Sequence, residues 1–170
     1  MIKDRYRLEE TSTSLKMQPS YYLFQKNFKL YLGLLGIAVV LIPLMKRFWG
    51  SNGLVTAIAI ASIMVIYLIR DYCFRINVKY IFDKSTRSIY KTNLPFVNNK
   101  KLMNFDEMII FTSTDSGALY YSLGIKQKQL LKSYKISESF DSGKRSEKAK
   151  VEYESEILSK ILLITDYKII

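Results

Sequence analysis

Two long apolar runs occupy the first half of the chain, on either side of Lys46 and Arg47. Leu30–Met45 has 16 residues with no charged side chain, and Phe48–Ile69 has 22 residues without a charge. At about 1.5 Å per residue the first run covers roughly 24 Å, not far below the hydrocarbon thickness of about 30 Å. Because both runs are apolar on every face, they are typical of membrane spans and not of amphipathic surface helices.

The segment at the junction of the two runs, KRFWGSNG at 46–53, predicts a tight reversal, because Gly, Ser and Asn are turn formers. Its Phe48 and Trp49 fit the aromatic belt of a membrane interface. The alternative is a buried helical pair in a soluble domain, which would need a second shell of apolar protein. The polar and basic remainder of the chain does not supply one, so a transmembrane hairpin is favoured.

After residue 70 the apolar pattern changes to a period of two. Ile76, Val78, Tyr80 and Phe82 alternate with polar residues, which indicates a strand followed by a turn and a second strand. Further β-rich runs follow in EMIIFTST, ALYYSLGIKQ and LLKSYKISESF. The pattern predicts five antiparallel strands and then a helix at Glu147–Thr165.

These elements predict three regions. Residues 1–28 form a cytoplasmic amino-terminal segment that could supply one or two strands to the same sheet, and residues 29–70 form the transmembrane hairpin with its external turn. Residues 71–170 form a cytoplasmic β domain. The predicted fold class is therefore a membrane α+β protein, with a two-helix transmembrane hairpin followed by a PH-like antiparallel β half barrel and a carboxy-terminal helix.

The distribution of basic residues predicts the orientation. Of 26 Lys and Arg residues, six precede the first run, two lie in the turn and 18 follow the second run. By the positive-inside rule both termini are cytoplasmic, in a bacterial inner (plasma) membrane. The net charge of +11 then follows from topology and from contact with an anionic inner leaflet, without a nucleic-acid partner.

Two sets of residues are candidates for contacts. Small residues at helical spacing can let helices pack closely in lipid, either the two spans of this chain or a span and another protein's helix. They are Gly33, Gly36, Gly53, Ala57 and Ala61. Basic residues near the spans and in the β domain are candidates for contacts with lipid headgroups or a partner. The alternative for those near the spans is that they only set the topology. They are Lys26, Lys29, Arg70, Arg75, Lys126, Lys128, Lys132 and Lys135.

The sequence offers little catalytic chemistry. It has no His and one Cys, which excludes the usual His and Cys zinc ligands, a Ser-His-Asp triad and a Cys-His pair. Nucleotide-binding glycine motifs are absent too. We therefore expect no enzyme activity, no metal and no cofactor. Cys73 is either a reduced thiol or an acylation site near the membrane interface.

The segment around the first predicted strand pair carries a family resemblance. Tyr80, Phe82, Asp83 and Lys84, together with the tail ILLITDYKII, resemble the photosystem I assembly factor family. The layout is also similar to two-span bacterial membrane proteins with a cytoplasmic PH-like domain. The resemblance implies a non-catalytic assembly or scaffold role at the membrane.

The leading hypothesis is an adaptor or accessory subunit of a larger membrane complex. A second hypothesis is an immunity protein that neutralises a membrane-acting toxin, because a compact membrane protein could occupy the toxin's transmembrane surface. A membrane-bound enzyme is the third.

Overall fold

The computed structural model describes residues 2–94, 98–125 and 132–167, apart from the side chains of Gln25, Lys26 and Phe28. The elements in chain order are α1 (Ile2–Arg5), β1 (Glu9–Glu10), β2 (Ser14–Met17), α2 (Tyr21–Asp71), a π-helical turn (Tyr72–Ile76), β3 (Lys79–Asp83), β4 (Ser88–Thr92), β5 (Lys100–Asn104), a 3₁₀ turn (Phe105–Glu107), β6 (Met108–Asp115), β7 (Ala118–Ile125), β8 (Ser133–Lys135), α3 (Lys144–Tyr153), a second π-helical turn (Glu154–Leu158) and α4 (Ser159–Thr165). They divide into a β unit, Met1–Tyr21 with Asn77–Ile170, and a helical unit, Tyr22–Ile76.

The larger sheet of the β unit contains strands from both sides of α2. Its five strands pair in the order β1-β2-β3-β4-β5, and each pair is antiparallel. In the central pairing Leu15 lies opposite Phe82, and Met17 lies opposite Tyr80. All four side chains are buried, as expected for one face of a pleated sheet. The amino-terminal segment is therefore part of the β unit.

The smaller sheet pairs in the order β6-β7-β8. Between β5 and β6 the 3₁₀ turn redirects the chain, and the backbone N–H of Asn104 donates to the Glu107 carboxylate at 3.1 Å. The turn from β6 to β7 contains Ser116 and Gly117, with φ of 51° and 82°. Positive φ at both positions is typical of a tight two-residue turn, and glycine accepts it at little cost.

An aromatic cluster joins the amino-terminal segment to the carboxy-terminal helices. Tyr153 is fully buried, and its ring centroid lies 5.1 Å from that of Tyr6 and 5.5 Å from that of Tyr121. The Tyr153 hydroxyl donates to the Ile136 carbonyl at 3.1 Å, and the Tyr6 hydroxyl accepts the Glu138 backbone N–H at 3.0 Å. Since these polar groups are paired, the tyrosines can be buried without a large desolvation penalty.

Within the helical unit, α2 is sharply bent. A straight helix would separate Tyr31 and Asp71, which are 40 residues apart, by about 60 Å, yet the Tyr31 hydroxyl donates to Asp71 Oδ2 at 2.6 Å. Gly50 has non-helical dihedral angles, with φ 60° and ψ −140°. A positive φ favours glycine, so the bend lies at Gly50 and the two limbs of α2 run side by side.

The predicted fold class is wrong in both its parts. The predicted turn over 46–53 is replaced by a break at the single residue Gly50 within α2, and one helix, Lys29–Ile76, is long and apolar enough to cross a membrane. Ser51 and Asn52 are helical, because glycine accepts a positive φ at little cost and the break therefore needs only Gly50. The PH-like half barrel is also wrong, because the 3₁₀ turn after β5 separates the described strands into two small sheets with no closed barrel.

Candidate membrane-facing surface of α2

The apolar side chains of α2 are largely exposed along both limbs. Only 11% of its most apolar 18-residue stretch is buried. Among the described residues of α2, Gly53 and Ala57 are the buried ones. The exposed large hydrophobic side chains are Leu30, Leu32, Leu35, Ile37, Val39, Val40, Leu41, Leu44, Phe48, Trp49, Val55, Ile58, Ile60, Ile63, Val65, Ile66, Tyr67 and Ile69. The described part of the chain therefore does not cover this surface.

Aromatic residues lie at both ends of the exposed surface. Phe48 and Trp49, next to the bend, are 74% and 67% exposed, and Tyr67 near the other end is 57% exposed. The 18-residue step from Trp49 to Tyr67 corresponds to about 27 Å of helix, which matches the hydrocarbon core of about 30 Å. Aromatic side chains at both levels are typical of a helix that spans a bilayer.

Small residues of the second limb face the first limb. Ala57 and Ala61 line a narrow gap together with Ala38, Leu41 and Met45. Near the bend, a methyl group added at Gly53 would overlap the carbonyl oxygen of Met45. These three small residues therefore allow the close approach of the limbs, as in other helix contacts in lipid.

The predicted small residues of the first limb lie elsewhere. A methyl group at Gly33 or Gly36 would meet nothing within 4 Å. The structure therefore does not bring these two glycines together with Gly53, Ala57 and Ala61.

A polar contact that the sequence did not reveal joins the far ends of the limbs. Asp71, whose side chain is 13% exposed, accepts the Tyr31 hydrogen bond and lies 3.6 Å from the Arg75 guanidinium. The Phe24 and Tyr72 rings meet edge to face at the same level, with centroids 6.0 Å apart. The available sequence signal was a single carboxylate at the end of an apolar run, with Arg75 four residues later.

The four predicted cations beside α2 have different environments. The Arg70 guanidinium lies 5.3 Å from the Tyr67 ring centroid, a cation–π distance. Arg75 pairs with Asp71, and Lys29 is exposed. The side chain of Lys26 lies outside the described residues. Arg75 thus forms an ion pair within the helical unit, and Arg70 and Lys29 remain candidates for a headgroup contact.

The predicted lysine cluster of the β unit is only partly described. Lys126 and Lys128 lie outside the described residues. Lys132 Nζ is 5.9 Å from the Tyr134 ring centroid, and Lys135 Nζ is 4.3 Å from the Tyr120 ring centroid. Lys135 also donates to Ser139 Oγ at 2.6 Å. Both described lysines therefore contact neighbouring side chains within the smaller sheet region.

Within residues 2–94, 98–125 and 132–167, no group of three or more His, Cys, Asp or Glu side chains is arranged to hold a metal ion. Cys73 is a partly exposed free thiol. Comparisons with models of protein families, with curated proteins and with solved structures found no match. The resemblance to the photosystem I assembly factor family therefore stays a prediction.

Proposed function

We propose that this chain is a non-catalytic adaptor or accessory subunit of a larger membrane complex. In this proposal α2 lies in a bacterial inner membrane, and the β unit is presented to the cytoplasm. The supporting observation is the exposed apolar surface of α2. Its aromatic ends and the absence of charged side chains from Leu30–Met45 and Phe48–Ile69 agree with an anchor and not with an ion pathway.

The size of this surface argues that something covers it. Burying a Val, Leu, Ile or Phe side chain is worth about 1.5–3 kcal/mol, and 18 large hydrophobic side chains of α2 are exposed. Even at half of the lower value, their burial would contribute on the order of 15 kcal/mol. That equals the whole stability of an ordinary domain, so a lipid environment is a better explanation than a tolerated exposed patch.

The connectivity of the larger sheet supports a membrane segment that begins and ends on the same side of the bilayer. β2 precedes α2 and β3 follows it, and these strands pair with each other. The chain must therefore enter and leave the membrane on the same side. The excess of Lys and Arg in the flanking segments makes that side the cytoplasm.

Cysteine labelling tests the anchoring and the orientation. In a Cys73→Ser background, we expect Ser51→Cys, just after the bend, to react with a membrane-impermeant maleimide in intact cells. Ser142→Cys, in the exposed loop before α3, should react only after lysis. The opposite pattern would refute the orientation, and a chain released by alkaline carbonate would refute the anchor.

A second experiment tests the adaptor role. After purification in mild detergent, we expect the chain to remain in a stoichiometric complex with another membrane protein. A chain that purifies alone would contradict this role. Rescue of cells from a membrane-acting toxin, without such a complex, would favour the immunity hypothesis instead.

A further inference from the structure

Four lysines lie at one end of the five-stranded sheet. The strand register places Lys91 on β4 directly opposite Lys100 on β5, and places Lys101 opposite Tyr90. On the neighbouring strand, Lys79 lies opposite Thr92, one residue beyond Lys91. We name Lys79, Lys91, Lys100 and Lys101 the sheet-end lysines. They come from three separate sequence segments, and strand pairing places them at one end of the sheet, with Lys91 and Lys100 on one face and Lys79 and Lys101 on the other.

This arrangement is unfavourable for the β unit itself. Like charges directly opposite each other in an antiparallel pair are destabilising, as for Lys91 and Lys100. None of the four sheet-end lysines lies within 4 Å of a carboxylate in the part of the chain that the structure describes. An anionic ligand from outside the chain would compensate this charge.

Protection of a sheet edge explains only half of the set. Lysines on an edge strand can prevent unwanted pairing with another chain, and Lys100 and Lys101 lie on the edge strand β5. However, Lys79 and Lys91 lie on β3 and β4, which have a neighbour on both sides. A purely protective role would not require a cation on these interior strands.

The sheet-end lysines occupy the end of the sheet to which both connections to α2 are attached. Met17 ends β2 and lies opposite Tyr80, which in turn lies opposite Lys91. Residues 18–20 alone connect β2 to α2, and residues 77–78 alone connect the π-helical turn to β3. Each residue spans at most about 3.6 Å, so both connections are short.

We propose that the sheet-end lysines bind the anionic headgroups of the bilayer that holds α2. The proposal rests on the proposed function, because it requires α2 to be in the membrane. A Lys ammonium is a compact point charge suited to a phosphate group without further geometric demands. The leaflet attracts such cations within about a Debye length, roughly 8 Å at physiological salt, so high salt should weaken this binding.

Fluorescence quenching of the full chain in vesicles tests this contact. In a Cys73→Ser background, a fluorophore is attached at Asn99→Cys, beside Lys100, or at Ser85→Cys in the turn at the opposite end of β3. Both positions are exposed. The vesicles contain a lipid with a nitroxide on its headgroup, in either pure phosphatidylcholine or a mixture with about one third phosphatidylglycerol.

We expect phosphatidylglycerol to increase quenching at position 99 by at least about twofold, and to leave position 85 nearly unchanged. Raising NaCl from about 0.05 to 0.5 M should remove the increase, because it shortens the Debye length. The variant with all four sheet-end lysines changed to Gln should lose the increase at low salt. Circular dichroism of each variant establishes that the β unit is still folded.

A matched control removes four charges elsewhere in the β unit, through Lys84→Gln, Lys144→Gln, Arg145→Gln and Lys148→Gln. It should keep the full effect of phosphatidylglycerol. Equal loss in the control variant, or no loss in the sheet-end variant, would overturn the proposal. If alkaline carbonate releases the chain from the vesicles, the proposed anchor is refuted. If the chain stays inserted but quenching does not depend on phosphatidylglycerol, only the proposed headgroup contact is refuted.

Discussion

The β unit buries its large apolar side chains, whereas the helical unit exposes most of its own. In the β unit Tyr6, Phe82 and Tyr153 are completely buried, whereas in α2 Phe48 and Ile63 are 74% and 67% exposed. The first pattern is that of a domain whose own core opposes unfolding. The second needs an apolar surrounding, which the described residues do not provide. The two units should therefore respond differently to the same kind of substitution.

The largest effect is expected from Phe82→Ala. Phe82 is fully buried in the sheet core, so the substitution should cost about 3–5 kcal/mol of folding free energy. Loss of near-UV circular dichroism and of protease resistance in the β unit would measure this cost. Leu119→Ala, at a site 37% exposed, is the matched control with a smaller loss. Release of the Phe82 variant from the membrane would contradict the independence of α2.

Ile63→Arg should have the next largest effect, although the side chain is exposed. Ile63 lies in the middle of the second limb, where an arginine costs about 2.5–3.5 kcal/mol on insertion scales. We expect a smaller carbonate-resistant membrane fraction. Leu163→Arg, at a site 76% exposed on α4, should change stability by about 0.5 kcal/mol or less. Equal behaviour of the two variants would show that α2 faces water.

Gly53→Ala should destabilise the contact between the limbs of α2. The added methyl group overlaps the Met45 carbonyl oxygen, so the backbone has to shift at a cost of about 1–3 kcal/mol. Unfolding in micelles by added dodecyl sulfate would measure it. Gly36→Ala is the control, because its methyl group meets nothing within 4 Å and should stabilise the helix by up to about 1 kcal/mol. The reverse order would place the limb contact elsewhere.

The smallest effect concerns Tyr153. Burial, with smaller effects from Tyr6 and Tyr121, raises the pKa of the Tyr153 hydroxyl well above its ordinary value. Its contribution is therefore complete below pH 10 and is lost as pH rises further, by about 1.4 kcal/mol per pH unit, because only the unfolded state deprotonates there. Tyr153→Phe removes the hydrogen bond to Ile136 and should cost about 1 kcal/mol at pH 7.

Chemical denaturation of both proteins between pH 7 and about pH 11 checks this prediction. The difference in unfolding free energy should narrow above pH 10, because the phenylalanine has no proton to lose. A difference that stays constant over the whole range would show that Tyr153 does not keep its proton in the folded state.

Several local features follow from sequence pattern alone. The pairing of β3 with β4 was predicted and is confirmed. The carboxy-terminal helix was predicted at Glu147–Thr165, and helical residues run from Lys144 to Thr165. In each case the signal is local, because alternation, turn residues and helical spacing depend on near neighbours in the chain.

The features that were not predicted depend on contacts between residues far apart in the chain. β5 was not predicted, because KKLMN has two lysines and little alternation and becomes a strand only by pairing with β4. The contact of Asp71 with Tyr31 could not be read from a single carboxylate, since it depends on the bend at Gly50. The division into two sheets depends on the short 3₁₀ turn after β5.

The sequence by itself determined the apolar character of α2, the separation of cations into flanking segments and the presence of β-rich runs, because these follow from composition and period. Only the tertiary structure decided that β2 and β3 share a sheet although α2 separates them in sequence, and that Lys79, Lys91, Lys100 and Lys101 lie at one end of it. Strand register is a relation between segments far apart in the chain. It is set by which faces bury their side chains together, and no local pattern specifies it.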